Sequence, residues 1–115
     1  MSNSIGSVHT LIEEKYGVSS RPVVNPITSN VAIVATRILT DNPRRLSVLI
    51  MNTGANPVYI GLDNSVSSTR GIYLAAGGGA ISLMWRDDFE NQCHERWAIA
   101  VGGVSTIYVE ENVIL

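Results

Sequence analysis

A single cysteine, Cys93, in 115 residues excludes an internal disulfide framework. The eight basic residues are Lys15 and the scattered arginines Arg21, Arg37, Arg44, Arg45, Arg70, Arg86 and Arg96. They form no basic stripe and the net charge is −2, so nucleic acid is not an expected partner. Charged residues make up 16% of the chain, against about 25% in an average soluble domain. Less surface is therefore committed to plain solvation, and part of it is expected to be covered by another subunit. No apolar run approaches the ~20 residues that cross a bilayer, so no membrane partner is expected. No Asn-x-Ser/Thr sequon occurs. The opening Met1-Ser2-Asn3-Ser4 has neither the basic stretch nor the apolar run of a signal peptide. The expectation is a chain made in a cytosol and not secreted by the usual route.

Apolar residues make up 45% of the chain. A chain of this length buries about two-thirds of its unfolded surface, enough for one domain without metal or disulfide support. Arg44 to Gly61 carries the clearest local pattern. Leu46, Val48 and Ile50 alternate on one face, Asn52 to Pro57 supplies turn chemistry, and Val58 and Ile60 resume the alternation. This reads as a hairpin. Val31–Ile38, Gly71–Ala75, Ile81–Trp85, Trp97–Val101 and Val104–Val109 read as further strands, and Gly102-Gly103 suggests a second hairpin. Glu110-Glu111-Asn112 is expected to interrupt the chain before Val113-Ile114-Leu115. Short strands at this spacing indicate an all-β sandwich or barrel over residues 30–115.

Residues 1–29 differ from the rest and read as an arm. Val8, Leu11, Ile12 and Tyr16 form an apolar stripe at helical spacing, with Thr10-x-x-Glu13 as a capping box and Gly17 as a stop. Such a helix is too short to stand alone and needs a surface to pack on. Val18 to Pro26 reads as an extended linker, because Pro22 and Pro26 disfavour α geometry in the residues before them.

The expected core is Leu46, Val48, Ile50, Val58, Ile60, Ile72, Leu74, Ile81, Leu83, Ile99 and Val101. The opposite parity holds Leu49, Met51, Tyr59, Tyr73, Met84 and Tyr108. A face that meets only water should be mainly polar, and Tyr and Met are enriched at subunit contacts. These six residues, with Val8, Leu11, Ile12 and Tyr16, are the candidate contacts for oligomer or partner.

Chemistry beyond surfaces is thin. Cys93-His94 lies among Asp87, Asp88, Glu90 and Glu95, but adjacent residues of an extended chain point to opposite sides. A metal needs three or four ligands at fixed spacing. The carboxylates are expected to pair with Arg86 and Arg96. Ala75 to Ala80 is glycine-rich yet lacks the Lys-Ser/Thr of a phosphate loop and leads into no helix. Ser65 to Arg70 is a hydroxyl-rich surface loop. No cofactor, metal or catalytic residue is expected, and an enzyme is the weakest reading. Trp85 and Trp97 flank the charged connection. If both are exposed they make a sugar platform, which keeps a glycan-binding host-recognition module as an alternative.

The run Arg45 to Gly54, followed by Asn56 to Gly61, resembles small β-sandwich virion proteins of tailed bacteriophages. Gly71 to Gly77, Ile81-Ser82-Leu83, Trp97 to Ala100 and Ser105 to Glu110 extend the resemblance over roughly the last two-thirds of the chain. It implies a single antiparallel β-sandwich, jelly-roll-like, acting as a head decoration (cement) protein or head-fibre base. It also implies a homo-oligomer, often a trimer, on the capsid exterior, with the major capsid protein or another virion protein as partner. A tail, connector or fibre-adaptor component is the alternative within the virion. The resemblance brings no catalytic residues.

Overall fold

The computed structural model describes residues 11, 13–15, 17, 20–23 and 30–114. Among these, nine strands occur: β1 (Ser20–Val23), β2 (Asn30–Val31), β3 (Thr36–Leu39), β4 (Arg45–Asn52), β5 (Val58–Gly61), β6 (Ile72–Leu74), β7 (Ala80–Met84), β8 (Arg96–Ala100) and β9 (Ser105–Ile114). Sheet one runs β1-β9-β4-β7, with β2 also on β9; sheet two runs β3-β8-β5-β6. Every pairing is antiparallel. Two facing sheets in this strand order, counted from β2, form an all-β sandwich of jelly-roll type. Ser20–Val23 pairs along the same strand as β2, so the sheet takes in part of the segment read above as an extended linker. Pro22 fits there, since an outermost strand loses nothing by lacking one N–H.

Neither expected hairpin forms. β4 lies in sheet one and β5 in sheet two, and β8 and β9 are divided in the same way. Their connections arch from sheet to sheet. The return within one sheet is β5–β6, around the hydroxyl-rich loop. The expected Val31–Ile38 strand is likewise split between β2 and β3, which belong to different sheets.

Asn52 builds the β4–β5 arch. Its side chain is fully buried. Nδ2 donates to Asn56 O (2.8 Å) and Leu74 O (3.1 Å), while Oδ1 accepts from Ser105 Oγ (2.8 Å) and Gly54 N (3.1 Å). Gly54 is required by closeness: a Cβ there would lie 2.1 Å from Ser105 Oγ and 2.5 Å from Thr106 N.

The core joins Val31, Ile38, Leu39, Val48, Ile50, Val58, Ile60, Leu74, Ala98, Ala100, Ile107 and Val109, with Ile81 and Leu83 packed against it. A register shift in β3 places the consecutive residues Ile38 and Leu39 both inside. Several assignments from the sequence are corrected. Leu46 is half-buried, at the register shift between Arg45 and Ser47. Ile72 and Val101 are exposed. In β8 the parity is reversed: Arg96, Ala98 and Ala100 are buried, and Trp97 and Ile99 alternate with them on the outer side. The core's bulk comes from the other strands, and β8 contributes only alanines between them.

Glu110-Glu111-Asn112 does not interrupt anything, because β9 runs on to Ile114. Glu111 is buried and forms an ion pair with Arg45 Nε, which is buried as well. Arg45 also donates to Gln92 O (3.1 Å) and Thr40 O (3.0 Å). This anchors the 85–95 connection, which holds a one-turn helix, Trp85–Asp88, and a 3-10 turn, Asn91–Cys93.

Leu11 and residues 13–15 are helical, as their spacing predicts. Gly17 N donates to Glu13 O (2.8 Å), and Gly17 adopts φ +70°, a left-handed helix stop. Val8, Ile12 and Tyr16 lie outside the described residues.

Candidate assembly surfaces

The six outward residues singled out by parity do not form one surface. Leu49 and Met51 (β4), Met84 (β7) and Tyr108 (β9) belong to sheet one; Tyr59 (β5) and Tyr73 (β6) belong to sheet two. The sandwich separates the two groups.

On sheet one the apolar residues are interleaved with polar ones. Leu49 pairs with Ser82 and Glu110, and Ser47 with Met84 and Asn112. Asn112 Nδ2 donates to Ser47 Oγ (3.0 Å). Met51 pairs with Ala80 and Tyr108. Such a face meets water without large penalty.

Sheet two differs. Tyr73, Tyr59 and Ile99 stand in register across β6, β5 and β8. The tyrosine rings lie 5.4 Å apart, tilted by 53°. A directly opposed aromatic pair of this kind contributes about 0.5–1 kcal/mol beyond its area. Trp97 continues the row between Gly61 and Arg37. Tyr73 is 56% exposed. Trp97 and Ile99 were missed in the sequence because β8 was assigned the wrong parity.

Ile99 also lines a groove of about 480 Å³, together with Ile33, Ser67, Ser68, Val101 and Gly103. Ile33 and Val101 are exposed. The Ser65–Arg70 loop is folded by local bonds. Asp63 accepts from Ser65 Oγ and from Ser65 N, and these bonds, the hydroxyl one first, hold its carboxyl below the usual range. Val66 is buried against Gly61, where a Cβ would lie 2.7 Å from its own, and sits close to Gly71.

The 86–96 carboxylates find partners other than those expected. Glu95 pairs with Arg37 (3.6 Å), and Asp88 accepts from Met84 N (2.9 Å). Arg96 donates to Asn91 O (2.9 Å). Its guanidinium pKa is pushed down, first by burial and then by Arg45. Cys93 is half-buried, with Sγ 3.3 Å from Arg45 O, and His94 is exposed. Among the described residues no group of three or more His, Cys, Asp or Glu could hold a metal ion. No helix among them is long and apolar enough to cross a membrane. Trp85 follows β7 of sheet one and Trp97 lies in sheet two, so they do not share a sheet face.

No family model matches the chain, and no curated protein matches it. Among solved structures it is similar to a chain from "Bacillus endospore appendages form a novel family of disulfide-linked pili". The two share 14% identity with a TM-score of 0.50, over 85% of this chain and 88% of the other. At that identity the likeness is one of fold.

Proposed function

We propose that the chain is a non-enzymatic structural protein that associates with copies of itself, and that it serves as a decoration or cement protein on the head of a tailed-phage virion. The observation that carries self-association is the outer face of sheet two. Tyr73, Tyr59, Ile99 and Trp97 stand together across three adjacent strands. A contiguous apolar patch of this kind marks an interaction site. The virion reading rests on the sequence resemblance. Trimeric symmetry and the capsid partner are implied by it as well. A protein that binds only the assembled lattice stabilises that lattice by mass action, and linked subunits gain avidity when they span several capsid sites.

The structural likeness to a pilus subunit favours a second reading, a subunit of a surface appendage. One thiol can join a chain to only one other, so Cys93 cannot by itself link these residues into a disulfide polymer. Any polymer built through these residues alone therefore needs non-covalent contacts as well.

Light scattering on the purified protein is expected to return an oligomer at micromolar concentration; a monomer there refutes self-association. Cys93→Ser is expected to leave that size unchanged. Tyr73→Ser should keep the fold, since losing the ring pair with Tyr59 costs only about 0.5–1 kcal/mol, yet weaken association by about 10-fold or more. Electron microscopy separates the readings: density on phage heads supports the first, isolated filaments the second.

A further inference from the structure

We propose that the groove beside Ile99 receives the N-terminal helical segment of a second copy of the chain, so that subunits join head to tail. The inference rests on the self-association reading and names its contact. The groove is apolar in its main contacts, through Ile33, Ile99 and Val101. The helical segment offers the matching chemistry, with Val8, Leu11, Ile12 and Tyr16 at helical spacing. Its own sandwich does not cover Leu11, which is 61% exposed, and residues 13–15 and 17 are exposed as well.

Reach decides whose helix fills the groove. Gly103 lies next to the start of β9 at Ser105, whereas Ser20 pairs with Ile114 at the other end of that strand. Nine steps at ~3.3 Å put these ends about 30 Å apart. From Ser20 back to Gly17 is three residues, about 10 Å at full extension. From Gly17 back to Leu11 is six, about 9 Å at helical rise. Leu11 therefore stays within about 19 Å of Ser20 and falls short of the Gly103 end of its own groove. A neighbour placed end to end has no such limit. A contact between two different surfaces is heterologous: it closes into a ring or continues as a filament, according to the rotation between subunits.

The test uses full-length chains carrying Leu11→Asp or Val101→Asp, with Ile33→Asp as a second groove variant should Val101→Asp not fold. Circular dichroism verifies the fold, and light scattering reads the size. Each variant alone is expected to be monomeric, its association weakened by about 30-fold or more. An equimolar mixture of Leu11→Asp with a groove variant has one intact helix and one intact groove, so it should give a one-to-one dimer and nothing larger. A folded variant that keeps the wild-type size overturns the proposal. So does a mixture that stays monomeric. Wild-type protein that is itself monomeric refutes the self-association reading; an oligomeric wild type with unaffected variants refutes only the helix-in-groove contact.

Discussion

Glu111→Ala is expected to destabilise the fold by about 3–5 kcal/mol, the usual cost of removing one partner of a buried ion pair. The carboxylate lies inside the sandwich against Arg45, and both side chains are buried. Arg45 cannot leave, because Gln92 O and Thr40 O also hold its guanidinium. Arg96 is buried close enough for Arg45 to lower its pKa. Without Glu111, two guanidinium groups share that end of the core with no buried carboxylate among the described residues. Domains of this size are held by about 5–15 kcal/mol, so the loss is a large fraction of the total. Chemical denaturation followed by circular dichroism measures it directly. The double variant Arg45→Met with Glu111→Leu should recover most of the loss, because replacing a buried pair by apolar groups is often neutral. A single-variant cost below about 1 kcal/mol would show that the pair does not anchor the 85–95 connection.

Asn52→Ala should cost a similar amount, about 3–5 kcal/mol, by a different route. Four hydrogen bonds disappear together: those to Asn56 O and Leu74 O, and those from Ser105 Oγ and Gly54 N. Each buried group left without a partner costs about 1–3 kcal/mol. Asn52→Asp keeps the shape but turns an oxygen towards two carbonyl oxygens. The ionised form is the one they repel, so the folded-state pKa of that aspartate lies above its unfolded value. Its stability defect therefore grows as pH rises through that range and shrinks on acidification. Thermal melts of the two variants across pH test this: Asn52→Asp should change with pH relative to Asn52→Ala, and parallel curves would place the Asn52 side chain outside the network.

The sequence carried the strands more faithfully than their partnerships. In Arg45–Asn52 the alternation predicts Val48 and Ile50 inside, and they are. Parity reports which side of a strand meets the core. It does not report whether the next strand returns to the same sheet or crosses to the facing one, since both arrangements alternate alike. Asn52 and Gly54 were legible as turn residues, but their buried partners, Leu74 and Ser105, are distant in sequence. Hydropathy misled in β8, where Trp97 and Ile99 outrank Ala98 and Ala100 yet lie on the outer side. Charge misled at Glu111, because its compensating arginine is 66 positions away. Parity alone identifies Tyr59 and Tyr73 of the sheet-two row, whereas Trp97 and Ile99 lie on the side of β8 that hydropathy assigns to the core. The helix stop at Gly17 was legible because it is wholly local.

The placement of β9 also sets a timetable. Its ten residues lie between β1 and β2 on one side and β4 on the other. During synthesis all three partners emerge before it, and until it appears sheet one has only the β4–β7 pairing. A ribosome-bound chain that stops short of Ser105 therefore presents β4 with an open edge, and β1 and β2 with nothing to join. Closure waits for the whole of β9, and its contacts span most of the chain. Such long-range pairing folds in milliseconds to seconds. A nascent chain thus cannot meet a neighbour in its finished form until β9 has emerged and paired.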